Sequence, residues 1–281
     1  MINLLSVDLE DWHTSGFLRQ AVSGERPPAS CIREATIPIL NLFKEEGYSA
    51  TFFVLGSIAA EDPDLIKEID MQGHEIASHG YSHTPLWELK PEAFRKELKE
   101  TSDIIEEITG KRPVGFRAPC ASLDENTSWA VNVLQEEGYR YDSSIFPMKT
   151  PIYGAPGATR GIYRISSADI FNDSPDSSLL EFPFSVCGPS FFPLPCTGGI
   201  YGRVIPYLFL KPMLKSVVRR RSLNFYFHPW ETYAYIPRLN VGIISRMVSY
   251  YNIGNYLKKI RRILGTFKFT SFENYIDMNK L

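Results

Sequence analysis

The chain contains only five histidines, at positions 13, 74, 79, 83 and 228, and three fall within the ten residues His74-Glu-Ile-Ala-Ser-His79-Gly-Tyr-Ser-His83. Two histidines four positions apart on a helical turn lie on one side and can both reach one cation. Neutral imidazole suits zinc, cobalt or nickel alike. The same spacing equally describes two capping or surface histidines, so the surrounding elements have to decide. A short apolar run, Asn3 to Val7, reads as a buried strand and ends on the acidic group Asp8-Leu9-Glu10-Asp11. His79 follows a strand-like segment from His74 to Ser78. Arg117 ends the short strand after Gly115-Phe116, and His228 ends the strand Leu223 to Phe227. Parallel α/β folds keep their active sites at the carboxyl ends of strands. Acids, a histidine pair, an arginine and a lone histidine would therefore share one rim.

The elements that carry these residues are legible from spacing. Ile32, Ala35, Ile39, Leu40 and Phe43 recur at helical intervals up to Glu46, and Gly47 stands where a C-terminal cap belongs. Ala50 to Leu55 is a strand of β-branched and aromatic residues. Asp62-Pro63 opens a helix with Leu65, Ile66 and Ile69 on one face, closed by Gly73. Pro91 starts a helix over Glu92–Thr109 that Gly110 ends. Thr127 to Glu137 is helical, and Gly138 precedes a strand from Tyr139 to Asp142. A polar loop covers Ser23 to Ser30. This alternation predicts parallel β/α units, in a barrel or a doubly wound sheet. Thr150 to Gly202, rich in Pro, Gly and Ser, reads as loops and short strands over one face, and Val241 to Leu264 as helical.

With 281 residues, 44% hydrophobic and 22% charged, the chain is long enough for a sizeable core, and disorder, collagen and a disulfide-stapled miniprotein are excluded. Four cysteines (Cys31, Cys120, Cys187, Cys196) without a CxxC pair give neither a zinc ribbon nor a thioredoxin motif and read as reduced thiols. No basic region followed by a long apolar run opens the sequence, so a cytoplasmic protein without a secretory signal is expected. Ile200–Val218, the most apolar stretch, is broken by Arg203, Pro206, Lys211, Pro212 and Lys215, so no membrane span is expected. The net charge of −2 hides an asymmetry: residues 198–281 hold 14 Lys+Arg against 3 Asp+Glu. Either the two parts pair internally or a basic face meets an anionic partner. Lys215, Arg219, Arg220 and Arg221, beside Tyr207, Leu208, Phe209 and Leu210, would suit anionic lipid or a lipid diphosphate at the inner membrane face. No motif supports nucleic acid.

Taken together, these residues resemble the metal-dependent polysaccharide deacetylases, the carbohydrate esterase family 4 group that includes chitin and peptidoglycan deacetylases. The matching blocks are Ser6-Val-Asp-Leu-Glu-Asp11, Thr51-Phe-Phe-Val54, His79-Gly-Tyr-Ser-His83, Arg117-Ala-Pro119, Tyr141-Asp142 and Phe227-His-Pro-Trp230. VDLEDW, ASHGYSH, YDSSIFP, the Gly-Gly-x-Tyr segment at 198–201 and FYFHPWE are similar to the bacterial exopolysaccharide-biosynthesis branch. The resemblance implies an irregular (β/α) barrel of about seven strands in one domain spanning 1–281, with 150–222 a loop-rich insertion and 223–281 closing the barrel. It implies removal of an N-acetyl group from an amino sugar of a surface polysaccharide or its lipid-linked precursor. A divalent metal, zinc or else cobalt or nickel, would be held by Glu10, His79 and His83, with Asp11 the competitor for Glu10. Members often have two adjacent aspartates, whereas Leu9 follows Asp8 here; strand alternation would put Asp8 and Glu10 on one side.

By the same resemblance Asp8 is the base that takes a proton from water, His228 the acid that protonates the leaving amine, and Arg117 the residue that orients Asp8. A backbone N–H near Cys120 would help stabilise the tetrahedral oxyanion. Asp142 would orient His228 or a sugar. Trp12 and Trp230 would either stack on sugar faces or pack in the core, and Cys120 would shape the acetyl pocket. The same site chemistry would serve a formamido sugar or a cyclic ureide, and an inactive glycan-binding barrel is the reading from another class.

Overall fold

The first strand is mostly apolar because it is buried on both faces. In β1 (Asn3–Leu9), all seven residues are buried, as expected of a strand inside an α/β protein. Leu5, Val7 and Leu9 join the largest core cluster, against the helices. Leu4 belongs to a second cluster on the other face, where Ser6 and Asp8 also point, toward Arg117. The period of two thus sends alternate residues to opposite sides of the sheet. The computed structural model describes residues 1–14, 18–22, 29–151 and 153–281; the loop expected at Ser23–Ser30 lies, as far as residue 28, outside them.

After β1 come α1 (Arg19–Val22), α2 (Ile32–Glu46), β2 (Thr51–Val54), α3 (Gly56–Glu61), α4 (Pro63–Met71) and β3 (Glu75–Ser78). The alternation continues through α5 (Pro91–Thr109), β4 (Gly115–Phe116), α6 (Trp129–Glu136) and β5 (Tyr141–Asp142). Next are β6 (Tyr163–Arg164), β7 (Leu180–Glu181), β8 (Val186–Cys187), β9 (Leu194–Pro195), α7 (Gly199–Val204) and α8 (Tyr207–Val218). The chain then runs through β10 (Asn224–Phe227), α9 (Ile243–Tyr250), α10 (Ile253–Leu264), β11 (Phe269–Thr270) and α11 (Phe272–Asn279).

Seven strands run parallel in the order β10-β1-β2-β3-β4-β5-β7. β6 pairs antiparallel with β7, and β11 pairs with the first residues of β1. The sheet curls into a half-barrel with helices outside, the (β/α) architecture that the resemblance implies. Side chains bridge the gap between its ends. Asn224 on β10 donates to the carbonyls of Phe182 at 3.0 Å and Pro183 at 3.3 Å, just beyond β7, and to Ser143 Oγ at 3.0 Å. On the inner face, Phe272 of α11 stacks on Tyr141 with centroids 5.4 Å apart and packs edge-on against Phe53.

Local signals act as expected at several ends. Asp62 accepts the Leu65 N–H at 3.1 Å and Pro63 occupies the first turn of α4. Gly47 ends α2 in the left-handed conformation, φ 71°. Two expectations change. The helix expected over Val241–Leu264 is two, broken at Tyr251-Asn252, with Asn252 left-handed at φ 58°. Arg203 caps the first by donating to the carbonyls of Val248 at 2.6 Å and Tyr251 at 2.9 Å, a long-range contact that periodicity cannot register. The segment Thr150–Gly202 contains β6 to β9 but also the start of α7. Among the described residues no helix is long and apolar enough to cross a membrane.

His74 is buried at the opposite end of β3 from the rim, edge-on to Phe43, with Nδ1 accepting the Ala50 N–H at 3.3 Å. Burial lowers its pKa from 6.5 to about 4. Between those values the unfolded chain binds a proton that the folded chain refuses, so stability is complete above pH ~6.5 and falls as the pH drops toward ~4. The loss should be on the order of 3 kcal/mol. Urea unfolding from pH 7 to pH 4 should show this component in the wild type and not in His74→Gln; equal pH slopes would contradict it.

Candidate active site and metal centre

A cavity of about 180 Å³ opens at the carboxyl ends of the strands, and Asp8, Glu10, His79, His83, Arg117 and His228 all line it. Each arrives from a strand end. β1 stops at Leu9, where the Glu10 N–H donates to the Asp8 carbonyl at 2.9 Å, a three-residue turn. The turn, more than continued strand alternation, brings Glu10 to the histidines. His79 follows β3, and its N–H extends the ladder to Val54 at 2.8 Å. Arg117 follows β4 and His228 follows β10.

The His79–His83 segment is not a helical turn. Gly80 at φ 76° and His83 at φ 57° bend it as a loop. Glu97 of α5 clasps this loop, accepting from the Tyr81 N–H at 3.0 Å and from Ser82 Oγ at 2.5 Å. One nitrogen or oxygen from each of Glu10, His79 and His83 lies within 4.8 Å of the others. His79 Nδ1 is 2.7 Å from the Arg117 carbonyl, so Nδ1 carries the proton and Nε2 keeps its lone pair. His83 contacts Glu10 through Nε2, while its buried Nδ1 has no hydrogen-bond partner. Burial lowers the His79 pKa to about 4, the His83 and neighbouring charges modifying this. A neutral imidazole is the form that ligates. Burial alone would raise the Glu10 carboxyl, but His228 and His83 outweigh it and hold it well below the carboxylate range. One carboxylate and two imidazoles, buried and convergent, fit a divalent cation of the zinc type.

Arg117 fixes the other carboxylate. It is buried and donates through Nη1 to Asp8 Oδ1 and to Ser6 Oγ, through Nε to the Ser143 carbonyl at 3.1 Å, and through Nη2 to Ser143 Oγ at 2.9 Å. Its guanidinium lies 4.0 Å from the Phe53 ring centroid. Across the cavity His228 Nε2 stands 3.8 Å from Asp8 Oδ2 and 3.4 Å from Glu10 Oε1. Burial would depress the His228 pKa, yet Glu10, Glu231 and Asp8 together lift it to about 9. Trp230 lines the cavity, stacks on His228 at 5.8 Å and donates its indole N–H to Glu10 Oε1 at 3.3 Å.

Other expected residues are placed differently. Trp12 is fully buried in a cluster with Leu18, Trp230 and Tyr250, so it packs the core and offers no face to a sugar. Asp11 turns away to accept the Trp12 N–H at 2.7 Å. Asp142 does not touch His228. It accepts from Ser144 Oγ, which itself accepts the Ala118 N–H at 2.8 Å, and it faces Glu181 across the β5–β7 register. Burial raises both carboxyls. A shared proton between them accounts for the two oxygens that otherwise lack partners. Asp142 therefore supports the loop after Arg117. Cys120 lines the cavity, but burial and then the Glu10 charge push its thiol up to about 12, so it is no thiolate nucleophile.

Sequence reasoning missed the group that does hold His228. Glu231 Oε2 lies 2.8 Å from His228 Nδ1, and Glu231 Oε1 accepts from Arg203 Nε at 2.9 Å. The three-residue interval in His228-Pro-Trp-Glu231 was a visible signal for a 3₁₀ turn. Nothing in the spacing pointed to Arg203.

Comparison with known proteins bears on the family and the fold. Residues 27–141 match the polysaccharide deacetylase family, and residues 143–277 match a domain of unknown function, DUF3473. A peptidoglycan-N-acetylglucosamine deacetylase of Bacillus cereus is 35% identical over 98 residues, 34% of this chain and 36% of that protein. A peptidoglycan deacetylase of Helicobacter pylori is 32% identical over 122 residues, 43% of this chain and 41% of that one. The chain thus spans well under half the length of these curated relatives. Among solved structures, a Mycobacterium smegmatis protein named for the same family superposes with a TM-score of 0.59 at 19% identity, covering 100% of this chain and 92% of that one. A family 4 carbohydrate esterase of Streptomyces lividans, solved with acetate, gives 0.51 at 15% identity over 94% and 86%. These likenesses show the fold, and the sequence match assigns residues 27–141 to the polysaccharide deacetylase family.

Proposed function

We propose that this protein is a metal-dependent hydrolase that removes the N-acetyl group from an amino sugar of a bacterial surface polysaccharide or its lipid-linked precursor. The carrying observation is that Asp8, the Glu10–His79–His83 set and His228 face one another across a single cavity. Glu10, His79 and His83 would hold the cation, zinc by its preference for this donor set; when bound it would supply Lewis-acid polarisation of an amide carbonyl and acidify water. Arg117 engages Asp8 Oδ1, which leaves Oδ2 facing His228 and free to take a proton from the attacking water. His228, held through Nδ1, directs Nε2 into the cavity to donate a proton to the departing amine. An amine leaves poorly without it. The peptidoglycan deacetylases to which the chain is similar support an acetylated glycan as the substrate class, and the VDLEDW and FYFHPWE blocks favour the exopolysaccharide branch.

Acetate release from N-acetylhexosamine oligosaccharides tests this reading. Activity should vanish with a chelator and return with zinc, and Asp8→Asn should lower kcat by about 10²–10⁴. Undiminished activity after complete metal removal would refute the proposal, and faster turnover of N-formyl than N-acetyl sugars would reassign the bond. Zinc titration of the metal-free protein should show one site. His79→Ala should weaken it by more than the ~10–100-fold that loss of a supporting partner gives.

A contact with anionic membrane from the cytoplasmic side is a second part of the proposal, and one observation favours it. On α9, Ile243, Ile244 and Met247 are 76%, 70% and 62% exposed, while Val248 of the same helix lines the cavity. On α8, Leu208 and Phe209 are exposed beside Lys211 and Lys215. Among ion pairs of the described residues, only those of Arg261 with Glu45 and Glu46, and of His228 with Asp8 and Glu10, join the basic part to the acidic part. Internal pairing therefore leaves most of the basic charge available to an anionic surface. The protein should co-sediment with phosphatidylglycerol vesicles at ~50 mM salt and much less at ~300 mM. Met247→Glu should weaken that binding; binding that ignores both salt and Met247 would refute it.

A further inference from the structure

Resting on the reading of His228 as the proton donor, we propose that Glu231 and Arg203 are its positioning residues and that Gly199 leaves the space in which the Glu231 carboxylate sits. Glu231 and Arg203 are each 1% exposed. Glu231 spends both oxygens on this unit. Oε2 meets His228 Nδ1 at 2.8 Å and accepts the His228 backbone N–H at 3.1 Å, and Oε1 takes Arg203 Nε at 2.9 Å. The other nitrogens of Arg203 are fixed on the last carbonyls of α9, and its guanidinium lies 5.5 Å from the Trp230 ring that stacks on His228.

Of the nearby glycines, Gly199 is explained by this unit, while Gly198 and Gly202 make room for the Tyr226 and Tyr256 hydroxyls. A Cβ on Gly199 would fall 1.6 Å from Glu231 Oε2 and 1.7 Å from Oε1. Gly198 has φ +90°, and a Cβ there would fall 2.5 Å from Tyr226 Oη. On Gly202 it would fall 2.0 Å from Tyr256 Oη. The carboxylate occupies the space that any side chain at 199 would need. A role in packing alone would be served as well by apolar residues of the same volume, since two buried charges cost several kcal/mol of desolvation before their attraction repays it. What the charged pair adds is a fixed ring orientation. With Nδ1–H donated to Glu231, Nε2 is the nitrogen that faces the cavity.

A leaving-group comparison separates positioning from architecture. Amide cleavage needs the proton from His228, whereas an aryl acetate ester releases a phenolate that needs none. Glu231→Gln, nearly isosteric, should lower kcat for N-deacetylation by ~10²-fold with KM within ~3-fold, and leave aryl acetate hydrolysis within ~3-fold of wild type. Gly199→Ala, which displaces the carboxylate, should show the same split. So should the paired Arg203→Met/Glu231→Leu variant, which buries no unmatched charge. Parallel loss of amide and ester rates, or unchanged amide turnover in Glu231→Gln, would overturn the proposal. Nitrogen-resolved NMR of the His228 ring supplies a readout independent of turnover. Its Nδ1–H proton should be protected from exchange in the wild type and become labile in Glu231→Gln and Gly199→Ala; protection that survives both substitutions overturns the proposal. Should the wild type release acetate from no amide, the deacetylase reading falls, and this resonance still decides whether Glu231 holds His228.

Discussion

One buried guanidinium organises the rim. Arg117 sits within the curl of the sheet over Phe53, with Ser6, Asp8 and Ser143 taking its N–H groups. Its backbone carbonyl meanwhile takes the ring proton of His79. A single residue thereby sets the direction of the Asp8 carboxylate, the tautomer of His79 and the approach of β1, β4 and the segment after β5. Removing one partner of a buried pair leaves an uncompensated charge, at about 3–5 kcal/mol, so the site and the stability of this part of the barrel are one problem. The aromatic walls serve it as well. Phe53, Phe184 and Tyr226 surround the guanidinium, and they exclude water from the Arg117–Asp8 contact while favouring the cation.

Much of this arrangement was readable before any coordinates. The strand–helix–glycine rhythm of the first 142 residues marks parallel β/α units, and the placing of acids, histidines and arginine after successive strands follows from that topology. Local chemistry fails where contacts are long-range. The Tyr141-Asp142 block suggests that Asp142 orients His228 or a sugar, but the curl of the sheet pairs it with Glu181 and Ser144. For Trp12 the sequence leaves a sugar platform and core packing equally open. The turn at Glu10 sends it into the core. Arg203 could not be found, since its partners lie 28 and more residues away on an irregular path.

The second half of the chain does more than close the barrel. The domain match ends at residue 141, yet His228, its carboxylate partner and Arg203 all come from beyond it. The N-terminal part supplies Asp8 and the convergent Glu10, His79 and His83; the C-terminal part supplies His228 with its own supports. A chain cut near residue 141 would retain Glu10, His79 and His83 but would lose β7 and β10, and β10 pairs with β1 along Leu4–Val7. The strand that carries Asp8 would then have a bare edge, so metal donors and base would lose their frame together.

Strain is concentrated where the chemistry is. Five described residues other than glycine have positive φ, and three of them, His83, Cys120 and Ala121, line the cavity. Each left-handed residue with a Cβ costs roughly 1–2 kcal/mol. Nothing in the preferences of cysteine or alanine would place them there, so the surroundings must impose the conformation. Those surroundings are specific: Glu97 clasps the loop before His83, while Ser144 Oγ holds the Ala118 N–H and Ser122 Oγ holds the Leu86 N–H on either side of Cys120. The rigid strands and α5 absorb this cost, and in return His83 is turned toward Glu10 and the Cys120 turn toward the cavity. A relaxed loop at either place would make a more stable protein and a worse site.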